Sequence, residues 1–193
     1  AKCATLLGIG DEYPEIVTRE EWCAKPPKEV EKLQSLPVPF VVIHHTYKPP
    51  ACNTTEDCDK AMREMQRLHQ DDRKWWDIGY NFCVGGTGKV YEGRGWDVQG
   101  AHAPRYNNRS CGICFIGDYT ETIPTEEMIH AAKGLINLGV KRGSIAENYK
   151  LIGHRQVRDT LCPGDAFFKE IKTWNHWDPL IDVAPNTNKS TTT

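Results

Sequence analysis

No apolar run in this sequence approaches the roughly 20 residues needed to cross a bilayer. Charge of one sign is also in short supply. A net charge of −2 and a pI near 6.4 leave no basic footprint for nucleic acid. No polybasic cluster offers a handle for an anionic membrane surface. Internal repeats are missing, and no signal-peptide pattern is visible, so Ala1 is read as a processed start. At 193 residues the chain is long enough for one well-buried domain and short for two.

Cysteine is present in a middling amount. Eight residues are too few for a small disulfide scaffold and many for a cytosolic enzyme. Cys52 and Cys58 flank a short loop that holds the sequon Asn53-Thr54-Thr55; Asn108-Arg109-Ser110 and Asn188-Lys189-Ser190 are two more. Together they point to an oxidising, secreted context. Cys83, Cys111 and Cys114 fall in strand candidates and read as buried thiols. Cys3 and Cys23 are candidates to bridge the N-terminal arm, with connectivity left open.

Taken in order, residues 1–12 read as a loosely held arm, 13–178 as the domain, and 179–193 as a disordered tail rich in Pro, Asn, Thr and Ser. Glu15-Ile16-Val17 is a short strand candidate, and Thr18 to Trp22 a capped helical turn. Residues 25–39 form a proline- and lysine-rich connection, and the β-branched run at 40–46 reads as a buried strand. Cys58, Met62, Met65 and Leu68 recur at helical spacing, which predicts an amphipathic helix over 54–73 with Thr54 or Thr55 as N-cap. Residues 79–84 and 88–93 predict a hairpin around a Gly-rich turn, and 111–117 another strand. Pro124 to Glu127 opens a second helix with the stripe Met128, Ala132, Leu135, Ile136 and Val140, closed by Arg142-Gly143. Residues 149–153 are a last strand. Strands interleaved with helices imply an α/β fold, a mixed sheet covered on both faces.

Chemistry concentrates in Leu151 to Cys162, LIGHRQVRDTLC, followed at once by Pro163-Gly164 and the helical pattern Ala166, Phe167, Phe168, Ile171 and Trp174. A proline in the first helical turn would put Cys162 at or next to a helix N-terminus, where the dipole favours a thiolate. His154 with Cys162 then reads as half of a zinc site, as a Cys/His nucleophilic dyad, or as a buried structural Cys near an unrelated His. The strand at 40–46 ends in His44-His45, and alternation lets only one of the two face a shared pocket. Either one with His154 and Cys162 would make three ligands with an open fourth position, the arrangement of a catalytic zinc site.

Several motifs in the right order then carry a resemblance. FVVIHHT at 40–46, WDIGYNF at 76–82, VYEGRGW at 90–96, GAH at 100–102, GHRQV at 153–157 and CPG at 162–164 resemble those of peptidoglycan recognition proteins. The likeness runs from about Glu15 to Trp177. It implies a central mixed sheet flanked by helices with a cleft over one face, as in phage-type N-acetylmuramoyl-L-alanine amidases. It also implies a role in innate immunity, bacterial peptidoglycan as the partner, and a zinc ion held by His44, His154 and Cys162. Non-catalytic receptors of the family generally carry another residue where this chain has Cys162. Tyr80 matches the tyrosine beside the scissile carbonyl, and Thr160 the position where phage enzymes carry a lysine. The activity implied is hydrolysis of the amide between N-acetylmuramic acid and L-alanine.

By the same resemblance His69, Arg73, Trp75, Trp96, His102 and Asn107 fall at cleft positions that contact substrate. Arg94 matches the arginine that pairs the extra carboxylate of meso-diaminopimelic acid, a bidentate partner that a lysine-type stem does not offer. Lys74-Trp75 occupies the specificity pair: Trp75 agrees with the diaminopimelate pattern, and Lys74 matches neither pattern. Cys52–Cys58 matches the family's short-loop disulfide. Competing readings are a receptor that binds muropeptides and signals through a partner, and a hydrolase with Cys162 as nucleophile.

Overall fold

The β-branched run after Pro37 is apolar on both faces, as a strand paired on both sides and covered on both faces must be. In the computed structural model, which describes residues 13–180, it forms strand β2 (Val38–His45). The arm at 1–12, Cys3, the sequon at Asn188 and all but two residues of the expected tail lie outside the described residues.

Six strands make one sheet. Besides β2 they are β1 (Ile16–Val17), β3 (Phe82–Val84), β4 (Val90–Glu92), β5 (Ser110–Phe115) and β6 (Ile145–Gly153), in the order β1-β4-β3-β5-β2-β6. The hairpin β3–β4 is antiparallel and the other pairings are parallel, so the sheet is mixed. β2 starts two residues before the expected boundary and β6 four before; both extensions pair with each other, Val38 opposite Ile145.

Helices cover both faces, giving three layers. On one face, α2 (Glu126–Lys141) and α3 (Asp165–Ile171) pack Met128, Leu135, Ile136, Phe167 and Ile171 on Val41, Ile43, Phe82, Ile113 and Phe115. On the other, α1 (Thr55–Arg67) packs Cys58, Met62 and Met65 on Cys83, Tyr91 and Cys114. Burial of each of those methionines stabilises the layer by about 1.5–3 kcal/mol. Thr54 is the N-cap of α1, accepting from the Asp57 N–H; Thr125 caps α2 in the same way through Met128.

Local differences from expectation have local causes. Thr18 and Glu21 exchange reciprocal bonds as in a capping box, yet the chain makes only a turn before Cys23 takes a positive φ of 59°. The helical pattern to Arg73 is realised as α1 followed by a π-helical turn, Leu68–Asp72. The Cys52–Cys58 disulfide is formed, while Cys83, Cys111 and Cys114 are buried free thiols.

Candidate active site

Parallel strands β2 and β6 end at the same edge, in the register Ile43 opposite Gly153. The next residue on each is a histidine, so His44 and His154 meet with ring centroids 4.3 Å apart. The pairing follows from register, and carboxyl ends of strands are where such folds place ligands. His154 opens a 3-10 turn (His154–Gln156), and the chain loops back to bring Cys162 Sγ within 3.8 Å of His44 Nδ1. Ligand atoms of His44, His154 and Cys162 all lie within 4.8 Å of one another. Alternation sends His45 to the opposite face, where its Nδ1 accepts from the Tyr119 N–H.

The loop that carries Cys162 is clamped by its own backbone and by Arg155. The Arg155 N–H donates to the Cys162 carbonyl at 2.9 Å, and the guanidinium reaches Asp165 and the Leu161 carbonyl. Thr160 Oγ1 accepts from the Cys162 N–H at 3.2 Å. Gly164 ends the loop at φ 97°, and a Cβ there would lie 2.3 Å from the Tyr119 carbonyl, so no other residue closes this turn. The expected helix-dipole effect on Cys162 is corrected here. Gly164 is the N-cap and Asp165 the first residue of α3, which puts both Cys162 and Pro163 outside the helix. Burial instead pushes the Cys162 thiol up to about 12, against the His45 N–H and the Arg155 charge, which work the other way.

These residues fit a zinc ion. His154 Nε2 is buried without a hydrogen-bond partner, an orphan that a metal would satisfy. Two imidazoles and a thiolate are a borderline-to-soft donor set suited to zinc, and a bound cation would bring the Cys162 proton off.

Beside these three side chains lies a cleft of about 560 Å³ lined by His44, Arg73, Trp75, Tyr80, Ala101, His102, Pro104, Asn107, His154 and Arg158. None of these is acidic, and two are arginines. Tyr80 stands 5.2 Å from His44 between ring centroids. Burial, then the nearby thiols Cys114, Cys162 and Cys83, push its phenol well above the ordinary range, so it is a donor at neutral pH.

Of the residues expected to touch substrate, Arg73, Trp75, His102 and Asn107 line the cleft, and His69, Lys74, Arg94 and Trp96 do not. Trp96 is the clearest correction. Its ring packs on Phe82 at 4.5 Å with Arg142 over it, on the α2 side of the sheet. His69 is buried beneath Trp75, and its Nδ1 accepts from the Gly79 N–H at 2.9 Å; it holds the backbone that presents Tyr80. Arg94 donates to the Ile78 and Gln99 carbonyls, and Lys74 is exposed with φ 62°. Thr160, expected to be catalytic, does not line the cleft and serves the Cys162 loop. Arg158 was missed: nothing in its spacing marks it, and only the loop geometry brings it in.

His69 carries a testable pH dependence. Burial lowers it from 6.5 to about 4, with Arg73 and Arg94 adding to the effect. The neutral ring is therefore the form the fold favours. Its contribution is fully present above pH 6.5 and is lost as pH falls toward 4, a total of about 3 kcal/mol. Urea unfolding of wild type and His69→Asn, whose Oδ1 stands in for Nδ1, is the check. Wild type should lose about 2–3 kcal/mol more than the variant between pH 7.5 and 4.5; equal losses would refute the assignment.

Comparison with known proteins identifies the family. Residues 34–165 match the N-acetylmuramoyl-L-alanine amidase domain family. Peptidoglycan-recognition protein LB of Drosophila melanogaster is 51% identical over 177 residues, covering 92% of this chain and 76% of that protein. The chain belongs to the peptidoglycan-recognition protein family. The wild-type structure of Drosophila PGRP-LB superposes with a TM-score of 0.86 at 50% identity, over 88% of this chain and 99% of that one. The N-acetylmuramoyl-L-alanine amidase of Mus musculus is 44% identical over 166 residues, 85% of this chain but 31% of that protein. Among the described residues no helix is long and apolar enough to cross a membrane.

Proposed function

We propose that this peptidoglycan-recognition protein is a zinc-dependent amidase that cleaves the bond between N-acetylmuramic acid and L-alanine, with preference for diaminopimelate-type stems. The observation that carries the reading is the convergence of His44, His154 and Cys162 beside a cleft that Tyr80 also lines. A zinc ion held there would supply Lewis acidity toward a carbonyl and an activated water at neutral pH. The chain's own residues do the rest. Tyr80 stays protonated and donates to the carbonyl oxygen as charge builds on it. Arg73 and Arg158 draw the carboxylates of the stem into a cleft without acidic groups, and Trp75 offers an aromatic face, with Arg73 5.0 Å over its ring.

Diaminopimelate preference rests on relatives and on Arg94, which lies outside the cleft lining but bonds the carbonyl of the lining residue Tyr80 through its backbone N–H. A Tyr-to-Phe mutant of Drosophila PGRP-LB has been solved with tracheal cytotoxin, and PGRP-LE with the same ligand, described as monomeric diaminopimelic acid-type peptidoglycan. In this chain the Nε and Nη1 bonds to Ile78 and Gln99 hold the Arg94 guanidinium rigid while leaving other N–H groups for a carboxylate. The disulfide and the exposed sequon residues Asn53 and Asn108 support an extracellular setting.

Hydrolysis of purified diaminopimelate-type and lysine-type peptidoglycan tests this, with released stem peptides read by mass spectrometry. Free stems should appear with zinc, vanish with chelator, and come faster from the diaminopimelate polymer. Tight binding without release would leave a receptor and sink the enzyme reading.

A further inference from the structure

His102 was expected to contact substrate and does reach the cleft, yet most of its bonds point elsewhere. The residue is 7% exposed, and its Nδ1 lies 2.9 Å from His44 Nε2. On the far side its Nε2 lies 3.2 Å from Ser110 Oγ, which in turn is 2.7 Å from the Tyr106 carbonyl.

The direction of each proton in this chain follows from its last member. A carbonyl can only accept, so the Ser110 hydroxyl proton is committed to Tyr106. Ser110 Oγ must then accept from His102, which places the single N–H of that neutral ring on Nε2. His102 Nδ1 is left as an acceptor, and His44 Nε2 is the donor to it. A neutral imidazole with its proton on Nε2 has its lone pair on Nδ1. That is the nitrogen of His44 that lies 3.8 Å from Cys162 Sγ.

We propose that His102 is a positioning residue for the metal centre, holding His44 in the tautomer and orientation that turn Nδ1 toward Cys162 and His154. The role rests on the zinc reading of the site. Metal-bound histidines are commonly oriented in this way by an acceptor on the other ring nitrogen.

The surroundings of His102 are built for it. Gly100 and Gly112 flank the ring, and a Cβ at either would come within 2.6 Å of it. Asn107 Oδ1 accepts from the backbone N–H groups of His102 and Ala103, both at 2.8 Å, and pins the loop. Ser110, the third residue of a sequon, is buried and has this second task. GAH at 100–102, Gly112 and Ser110 thus serve one ring.

Two measurements test the role. Long-range ¹H–¹⁵N correlation spectra of the metal-free wild type should show His44 and His102 both as Nε2–H tautomers; an Nδ1–H His44 would overturn the proposal. Zinc affinity by competition with a chromophoric chelator should fall about 10- to 100-fold in His102→Leu. His102→Asn, whose Oδ1 replaces Nδ1 as acceptor, should stay within about threefold of wild type. Unchanged affinity in the leucine variant, or equal losses in both, would overturn it. Failure of the wild type to take up zinc would overturn the zinc reading itself, and the tautomers are read without metal, so the two failures are distinct.

Discussion

Replacing Cys162 by Ser is expected to lower stem-peptide release by at least about 10³-fold while leaving muropeptide binding within about threefold. The change is nearly isosteric, so the clamped loop from His154 to Gly164 keeps its shape. What is lost is the one anionic, soft donor among the three ligands. A serine hydroxyl does not give up its proton near neutrality, and two imidazoles alone hold zinc poorly. Arg73, Trp75 and Asn107 lie in the cleft on other segments, and Arg158 keeps its place because the loop that carries it keeps its shape, so binding survives. Zinc content, calorimetric binding and mass spectrometry of released stems are the readouts. Full activity in the variant would remove Cys162 from the mechanism. If Cys162 were a nucleophile, the variant would also be dead, but chelator would spare the wild type and iodoacetamide would kill it. Burial works against that alternative, because it pushes the Cys162 thiol up and so disfavours the free thiolate that would attack.

The second large effect is expected at Tyr80. Phe at this position should cut kcat about 10²- to 10³-fold with zinc content and KM little changed. The phenol donates in a desolvated pocket, where a hydrogen bond to developing charge counts for more than one to a neutral carbonyl. Because Tyr80 sits well above its ordinary range, the wild-type rate should show no loss near pH 9–10 from its ionisation. A rise in KM with kcat unchanged would reassign Tyr80 to ground-state binding.

Much of this was readable from residues alone, and the reason differs by region. The run Val41-Val42-Ile43 could only be a buried strand, and the stripe Cys58, Met62, Met65 only the inner face of a helix, because those periodicities are local. Thr54 became the cap because its hydroxyl, one residue before the helix, reaches the Asp57 N–H. Other expectations failed where a side chain's direction depends on a turn. Trp96 follows Gly95 at φ 78° and swings to the α2 face, although its motif suggested a cleft residue. His69 lies on a π-helical turn that no spacing rule anticipates, and there it goes inside rather than outward.

By itself the sequence determined most of the elements and the family. His44, His154, Cys162 and Tyr80 are legible because each sits in a motif with a fixed chemical need. Alternation alone left His44 and His45 both open and the resemblance implied His44; the strand register between β2 and β6 is the physical reason that it is His44 that meets His154. Only the tertiary structure decided that Arg158 joins the cleft and that Trp96 leaves it. His102 was brought onto His44 across 58 residues of chain and Cys162 onto the same ring across 118, contacts that depend on how β2, β5 and β6 align. Local pattern sets the face of a strand or helix; the meeting of two loops is set by everything between them.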